Sequence, residues 1–173
     1  MNHDKYTDDY ITGILYHSRV FAMVGASAND SRPSYFALKY LLGKGYTVHP
    51  INPGLAGKDL LGQRVYAGLD DLPGPIDVLD IFRNAEAAGE VVDQALALHD
   101  RLQTKVIWMQ LGVRNEEAAR KAEAAGLKVV MNRCPKIEYG RLSGELNWSG
   151  VFSGNVSSVR ARLSPKGVAY SKG

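Results

Sequence analysis

Cysteine is nearly absent: Cys134 stands alone in 173 residues. An intrachain disulfide is thereby excluded, as is any zinc or iron–sulfur site built from several cysteines. Long apolar runs are missing too. No stretch approaches the roughly 18 uninterrupted apolar residues that a membrane span requires. Met1 to Tyr10 is acidic and tyrosine-bearing, without the apolar segment of a secretory signal. The expectation is a protein of a reducing compartment, cytoplasmic and without membrane contact. Neither charge sign dominates: charged residues make up 23% of the chain and the formal net charge is +3. That ordinary globular balance implies no nucleic-acid partner. Acidic residues outnumber basic ones over residues 1–86 and the reverse holds over 87–173. The basic end has two readings, an anionic ligand or solvated surface Lys and Arg.

What the chain does contain is an alternation of two periods. Hydrophobic residues are 45% of it, enough for one α/β domain with a buried core and too few for two ordinary domains. Tyr10, Ile11, Ile14 and Leu15 recur at helical spacing, so Thr7 to His17 reads as a short helix. Val20 to Val24 is apolar without alternation and stops at Gly25, as a strand covered on both faces does. A helix starting after Pro33 and closing at Gly43 and Gly45 follows. Tyr46–Ile51, Ile76–Phe82, Lys105–Gln110 and Leu127–Met131 read as further strands, and Ala85–Leu102 and Asn115–Ala125 as helices. Such alternation predicts right-handed crossovers and an open, doubly wound, mostly parallel sheet of Rossmann type in a single domain. The expected division is a helical lead-in over residues 1–18, the Rossmann-like domain over 19–141 and a basic tail over 142–173. That tail is ordered only if it packs on the domain, because glycines punctuate it and Arg160, Arg162, Lys166 and Lys172 crowd its end.

In open parallel sheets ligands bind beyond the carboxyl ends of the strands, so the residues leaving each strand carry the information. The first loop, Gly25 to Pro33, has the place of a dinucleotide fingerprint but one glycine where G-x-G-x-x-G needs three. Asn52, at the end of the second strand, stands where an NAD site needs an acidic residue for the ribose. What remains suits a phosphate-bearing nucleotide: Ser27, the loop amides and the next helix N-terminus offer donors, and Arg32 adds a charge.

Catalytic sets do not assemble. His3 and His17 precede the sheet, His49 sits inside a strand and His99 inside a helix, so none pairs visibly with Cys134 or a serine. Cys134 is either a buried strand-end thiol or a thiolate helped by Arg133 and Lys136. Asp77 and Asp80, three apart in a strand, face opposite sides and make no carboxylate pair. Trp108 reads as core.

Five strand-end segments in order, VGAS (Val24 to Ser27), PINP (Pro50 to Pro53), DIFRN (Asp80 to Asn84), WMQLGV (Trp108 to Val113) and MNRCPKIE (Met131 to Glu138), carry a resemblance. From about Arg19 to Arg141 the chain resembles the small stand-alone CoA-binding proteins, whose domain is similar to the CoA-binding domain of the succinyl-CoA synthetase α-subunit. The resemblance implies coenzyme A or an acyl-CoA as ligand. It places Gly25, Ala26 and Ser27 at the phosphates, Asn52 and Pro53 on the nucleotide side, and Phe82, Arg83, Gln110, Leu111 and Gly112 along the remaining wall. Two departures stand out. The synthetase pattern has a lysine directly behind Pro-Gly, where Leu55 stands here, so that phosphate contact is missing or passes to Arg32 or Lys58. The synthetase's phosphorylated histidine belongs to a second domain, for which this chain has no length, so acyl-CoA synthesis by the chain alone is not expected. Three readings stay open: a CoA-binding module without catalysis of its own, acting as carrier, sensor or partner of an enzyme; an NAD(P)-binding oxidoreductase or redox sensor; and a detached CoA-binding subunit of an acyl-CoA ligase. A protein partner or a homo-oligomer is compatible with each.

Overall fold

The structure is a computed structural model, and it describes residues 1–145. The described residues divide into two compact units, Ser18–Cys134 and a second formed by Met1–His17 with residues 135–145. The expected domain span, 19–141, ends inside a helix of the second unit. Most of the expected tail, residues 142–173, lies outside the described residues.

The larger unit is built on strands β1 (Val20–Val24), β2 (Thr47–Ile51), β5 (Val78–Ile81), β6 (Val106–Met109) and β7 (Lys128–Val130). They form one parallel sheet in the order β2-β1-β5-β6-β7. β5 and β6 are buried at every position, which accounts for the unbroken apolar run of β6 and for the apolar residues on either side of Asp80 in β5. The sheet is the Rossmann-like α/β architecture that the alternation predicts. Helices α2 (Pro33–Gly43), α3 (Ala85–Ala97), α4 (His99–Leu102) and α5 (Glu116–Ala124) connect the strands. One sheet face, with Ala22, Leu79, Ile81, Ile107, Met109 and Val129, forms a common core with Ala88 and Val92 of α3 and Ala118 and Ala122 of α5. Small side chains let these helices approach closely. A Cβ on Gly89 of α3 would stand 2.8 Å from the Asn115 carboxamide. Trp108 is fully buried and its indole N–H donates to the Arg133 carbonyl at 2.8 Å, a core role.

Two local features depart from the sequence reading. The long helix expected over Ala85–Leu102 is broken at Leu98, where ψ turns to 12°. The break swings Arg101 so that its guanidinium donates to the carbonyls of Leu72 at 2.5 Å and Leu69 at 2.8 Å, while Ile76 N–H bonds Leu102 O. Between β2 and β5 the chain makes a hairpin, β3 (Asp59–Leu60) with β4 (Gln63–Arg64). Its turn residues, Leu61 and Gly62, both have positive φ, 52° and 77°, as a two-residue hairpin demands. Two-residue strands carry too little pattern to be seen in a sequence. Beyond the hairpin, Tyr66 runs parallel to β2: its N–H donates to Pro50 O and its carbonyl accepts from Asn52 N–H, each at 2.9 Å.

The smaller unit pairs α1 (Asp8–His17) with α6 (Pro135–Leu142). Arg141 binds Asp8 at 2.8 Å and Glu138 at 2.7 Å.

Candidate functional site

Strand order fixes where a ligand crevice lies. From β1 the chain moves one way to β2, then crosses back to β5 on the other side, so the order reverses between β1 and β5. Loops diverge at that point and leave a crevice outside the carboxyl ends. A cavity of about 350 Å³ occupies it, lined by Gly25, Asn52, Pro53 and Arg83 together with Ala67 to Leu69 and one face of α3. Small-molecule pockets run from about 300 to 1,000 Å³. Of the residues expected at the site, these four meet in one cavity.

Gly25 makes the turn out of β1 with φ +83°, and a Cβ there would overlap the Phe82 carbonyl oxygen. Positive φ and close backbone approach together require glycine. Half-buried Phe82 closes on that turn through its backbone and does not line the cavity. The loop amides are only partly available to an anion. Gly25 and Ala26 both donate to Ile51 O, at 3.1 and 3.2 Å. Ser27 and Ala28 N–H have no acceptor among the described residues. Ser27 Oγ accepts from Asn29 N–H at 3.1 Å. Asn29 in turn accepts from the amide and hydroxyl of Ser31, which winds the loop toward α2. That helix begins at Pro33 with no side-chain cap and no acid in its first turn, and Arg32 is exposed before it. Neither Ser27 nor Arg32 lines the cavity.

Asn52 is a strut. Its Nδ2 donates to Ala26 O and its Oδ1 accepts from Gly54 N–H, both at 2.8 Å, so its side chain ties the first loop to the second. Arg83 is exposed and forms no ion pair among the described residues. A positive charge at the rim of a cavity without an internal partner is available to an anionic ligand.

Gln110, Leu111 and Gly112 lie one strand further along, outside the cavity. Buried Gln110 turns inward and donates through Nε2 to Asp80 Oδ1 at 2.6 Å, so it serves the sheet. Asp80 is fully buried with its second oxygen unpartnered, and burial pushes its carboxyl up to about 7. Leu111 is 57% exposed. Gly112, at φ +78°, donates its N–H to Asn132 Oδ1 at 2.7 Å. Asp77 sits at the opposite end of the sheet. Burial pushes its carboxyl up, but Lys105 at 2.7 Å and the amides of Arg19 and Val20 outweigh that and hold it below the usual range. The two carboxyls make no pair. His49 is half-buried edge-on to Tyr66 and burial lowers its pKa. Cys134 is a half-buried thiol outside any disulfide. No group of three or more potential metal-binding side chains exists among the described residues, and no described helix is long and apolar enough to cross a membrane.

The sequence reading missed Ala67, Gly68 and Leu69, and Ala87, Glu90, Val91 and Gln94 of α3. The α3 set did leave a signal, since a spacing of three, four and seven residues marks one helix face.

An open parallel sheet with a glycine-floored crevice at its switch point defines a Rossmann-like α/β protein. Within that class the chain belongs to the CoA-binding domain family, whose model matches residues 19–140. An uncharacterized protein of Bacillus subtilis, YneT, is 32% identical over 129 residues, 75% of this chain and 91% of that one. A hypothetical protein from Pyrococcus horikoshii shares the fold with a TM-score of 0.74 and 38% identity, over 82% of this chain and 96% of that one. A dinucleotide-forming acetyl-coenzyme A synthetase from Ca. Korarchaeum cryptofilum, in complex with phosphate and ADP, matches at a TM-score of 0.58 and 26% identity, over 68% of this chain and 26% of that one.

Proposed function

We infer that this protein binds coenzyme A or an acyl-CoA in the cavity between the ends of β1, β2 and β5, and that it acts as a carrier, a sensor or the partner of an enzyme, without catalysis of its own. One observation carries the reading: in a member of the CoA-binding domain family, an unpaired Arg83 and the Gly25 turn share one cavity at the switch point. The free Ser27 and Ala28 amides and the uncapped start of α2 add donors for a pyrophosphate beside it. An NAD site finds less support. Asn52 occupies the end of β2 with both arms of its carboxamide engaged, and no carboxylate stands there for a ribose. A detached ligase subunit is the second reading. It draws on the synthetase likeness, in which the chain matches about a quarter of the larger protein.

Thermal unfolding with CoA, acetyl-CoA, NAD and NADP at matched concentrations tests this, since a ligand bound only by the folded state raises the midpoint. CoA or acetyl-CoA raises it and NAD leaves it in place; equal shifts with all four overturn the reading. Acetyl-CoA formation on adding a separate nucleotide-grasp chain, and none without it, would select the ligase-subunit reading.

A further inference from the structure

One wall of the cavity comes from a helix side and not from a strand end. Ala87, Glu90, Val91 and Gln94 of α3 face Ile51, Gly68 and Leu69 across it. Apolar and side-chain-poor walls of this kind suit a flat ring. The polar side chains among the lining residues are Arg83, Asn52, Glu90 and Gln94, and Asn52 is fully engaged in holding the two loops together. Glu90 and Gln94 are exposed, and their side chains have no hydrogen bond or ion pair among the described residues. A bound molecule therefore meets three unengaged groups: a cation at Arg83, a carboxylate acceptor at Glu90, and a carboxamide at Gln94 that both donates and accepts. The complementary ligand is an anion joined to a flat ring that bears a hydrogen-bond donor.

We propose that Glu90, with Gln94 one turn further along α3, selects the base of the bound nucleotide by accepting a hydrogen bond from the exocyclic amine of adenine. The proposal rests on the CoA reading and deepens it, because the ADP part of CoA supplies both the phosphate for Arg83 and the amine for Glu90. A purine that carries hydrogen in place of that amine offers Glu90 no donor at that position. Sites built to satisfy a polar group reject analogues that cannot do so.

The test is displacement of CoA by ADP and by purine riboside diphosphate, which differ only in that amine, followed by titration calorimetry. ADP displaces CoA with an affinity about tenfold or more above that of purine riboside diphosphate. In Glu90→Gln the acceptor loses its charge, so ADP weakens by about tenfold and the preference falls toward parity. An unchanged melting temperature of the ligand-free variant separates this from misfolding. Equal affinity of the two diphosphates for the wild-type protein overturns the proposal, as does failure of both to displace CoA, or a preference that survives in Glu90→Gln. If CoA itself does not bind, the CoA reading falls and base selection falls with it; if CoA binds and the diphosphates are not distinguished, only base selection falls.

Discussion

Single residues at this site act through very different physics. Gly25 is held by backbone geometry: a side chain there is strained by the positive φ and meets the Phe82 carbonyl. Gly25→Val is therefore expected to lower the melting temperature and abolish CoA binding, and a variant that folds and titrates like the wild type would remove the crevice from that turn. In the proposed reading Arg83 acts through charge. Charge-assisted contacts are worth on the order of 1.5–3 kcal/mol, so Arg83→Ala weakens CoA by about one to two powers of ten in calorimetric titration. The ligand-free melting temperature stays put, because Arg83 has no internal partner to lose. Asp80 acts through proton linkage. Its folded-state pKa of about 7 lies above the ordinary 3.8, so between those values the folded state holds a proton that the unfolded state releases. Stability then falls as pH rises from 4 to 7 and levels off above. Asp80→Asn should flatten that slope in denaturant midpoints measured across the range, and a slope identical to wild type would refute it. Gly25 and Arg83 could be named from the sequence as residues leaving segments that read as strands, and both line the crevice. The resemblance put Gln110 along the ligand wall; in the structure its amide donates to the buried Asp80 carboxyl one strand away.

At the scale of elements, long apolar strands and capped helices announced themselves, and short or crossing pieces did not. β1, β2 and β5 to β7 fall inside their expected ranges, and in β1 and β6 burial on both faces gives unbroken apolar runs. The Leu98 break in the long helix was not visible. It goes with Arg101 reaching carbonyls some thirty residues away, a tertiary contact that no local pattern encodes. The same holds for the cavity wall at Ala67 to Leu69, which lies on a crossing segment without periodicity. Asn52 is the coupling between elements, with hydrogen bonds to Ala26 and Gly54 that hold the two loops in one arrangement. Removing it leaves a half-buried carbonyl and an amide unsatisfied, a loss of about 1–3 kcal/mol. Asn52→Ala is expected to lower both the melting temperature and CoA affinity, whereas a variant stable as wild type would show that the loops hold their places without the strut.

For the whole molecule, the strand order sets the crevice outside the carboxyl ends of the sheet, within the span 19–140 that the family model matches. A ligand at a hundred times its dissociation constant adds about 2.7 kcal/mol to the folded state, which for a chain of this size moves the melting temperature by about 5–11 °C. CoA added at that excess should produce such a shift, and a smaller one that does not grow with concentration would place CoA elsewhere than on the folded form. The segment around Tyr66 has a bearing on the protein's behaviour in a crowded solution. β2 would otherwise present a bare row of amides and carbonyls along the side of the sheet. Tyr66 covers the Pro50 carbonyl and the Asn52 amide, and Pro50 itself has no N–H to offer. An exposed strand edge is a template on which another chain adds by hydrogen bonding. By occupying part of that template with its own backbone, the molecule resists stacking side by side into fibres, and it does so with a stretch of chain that also leads into the cavity wall.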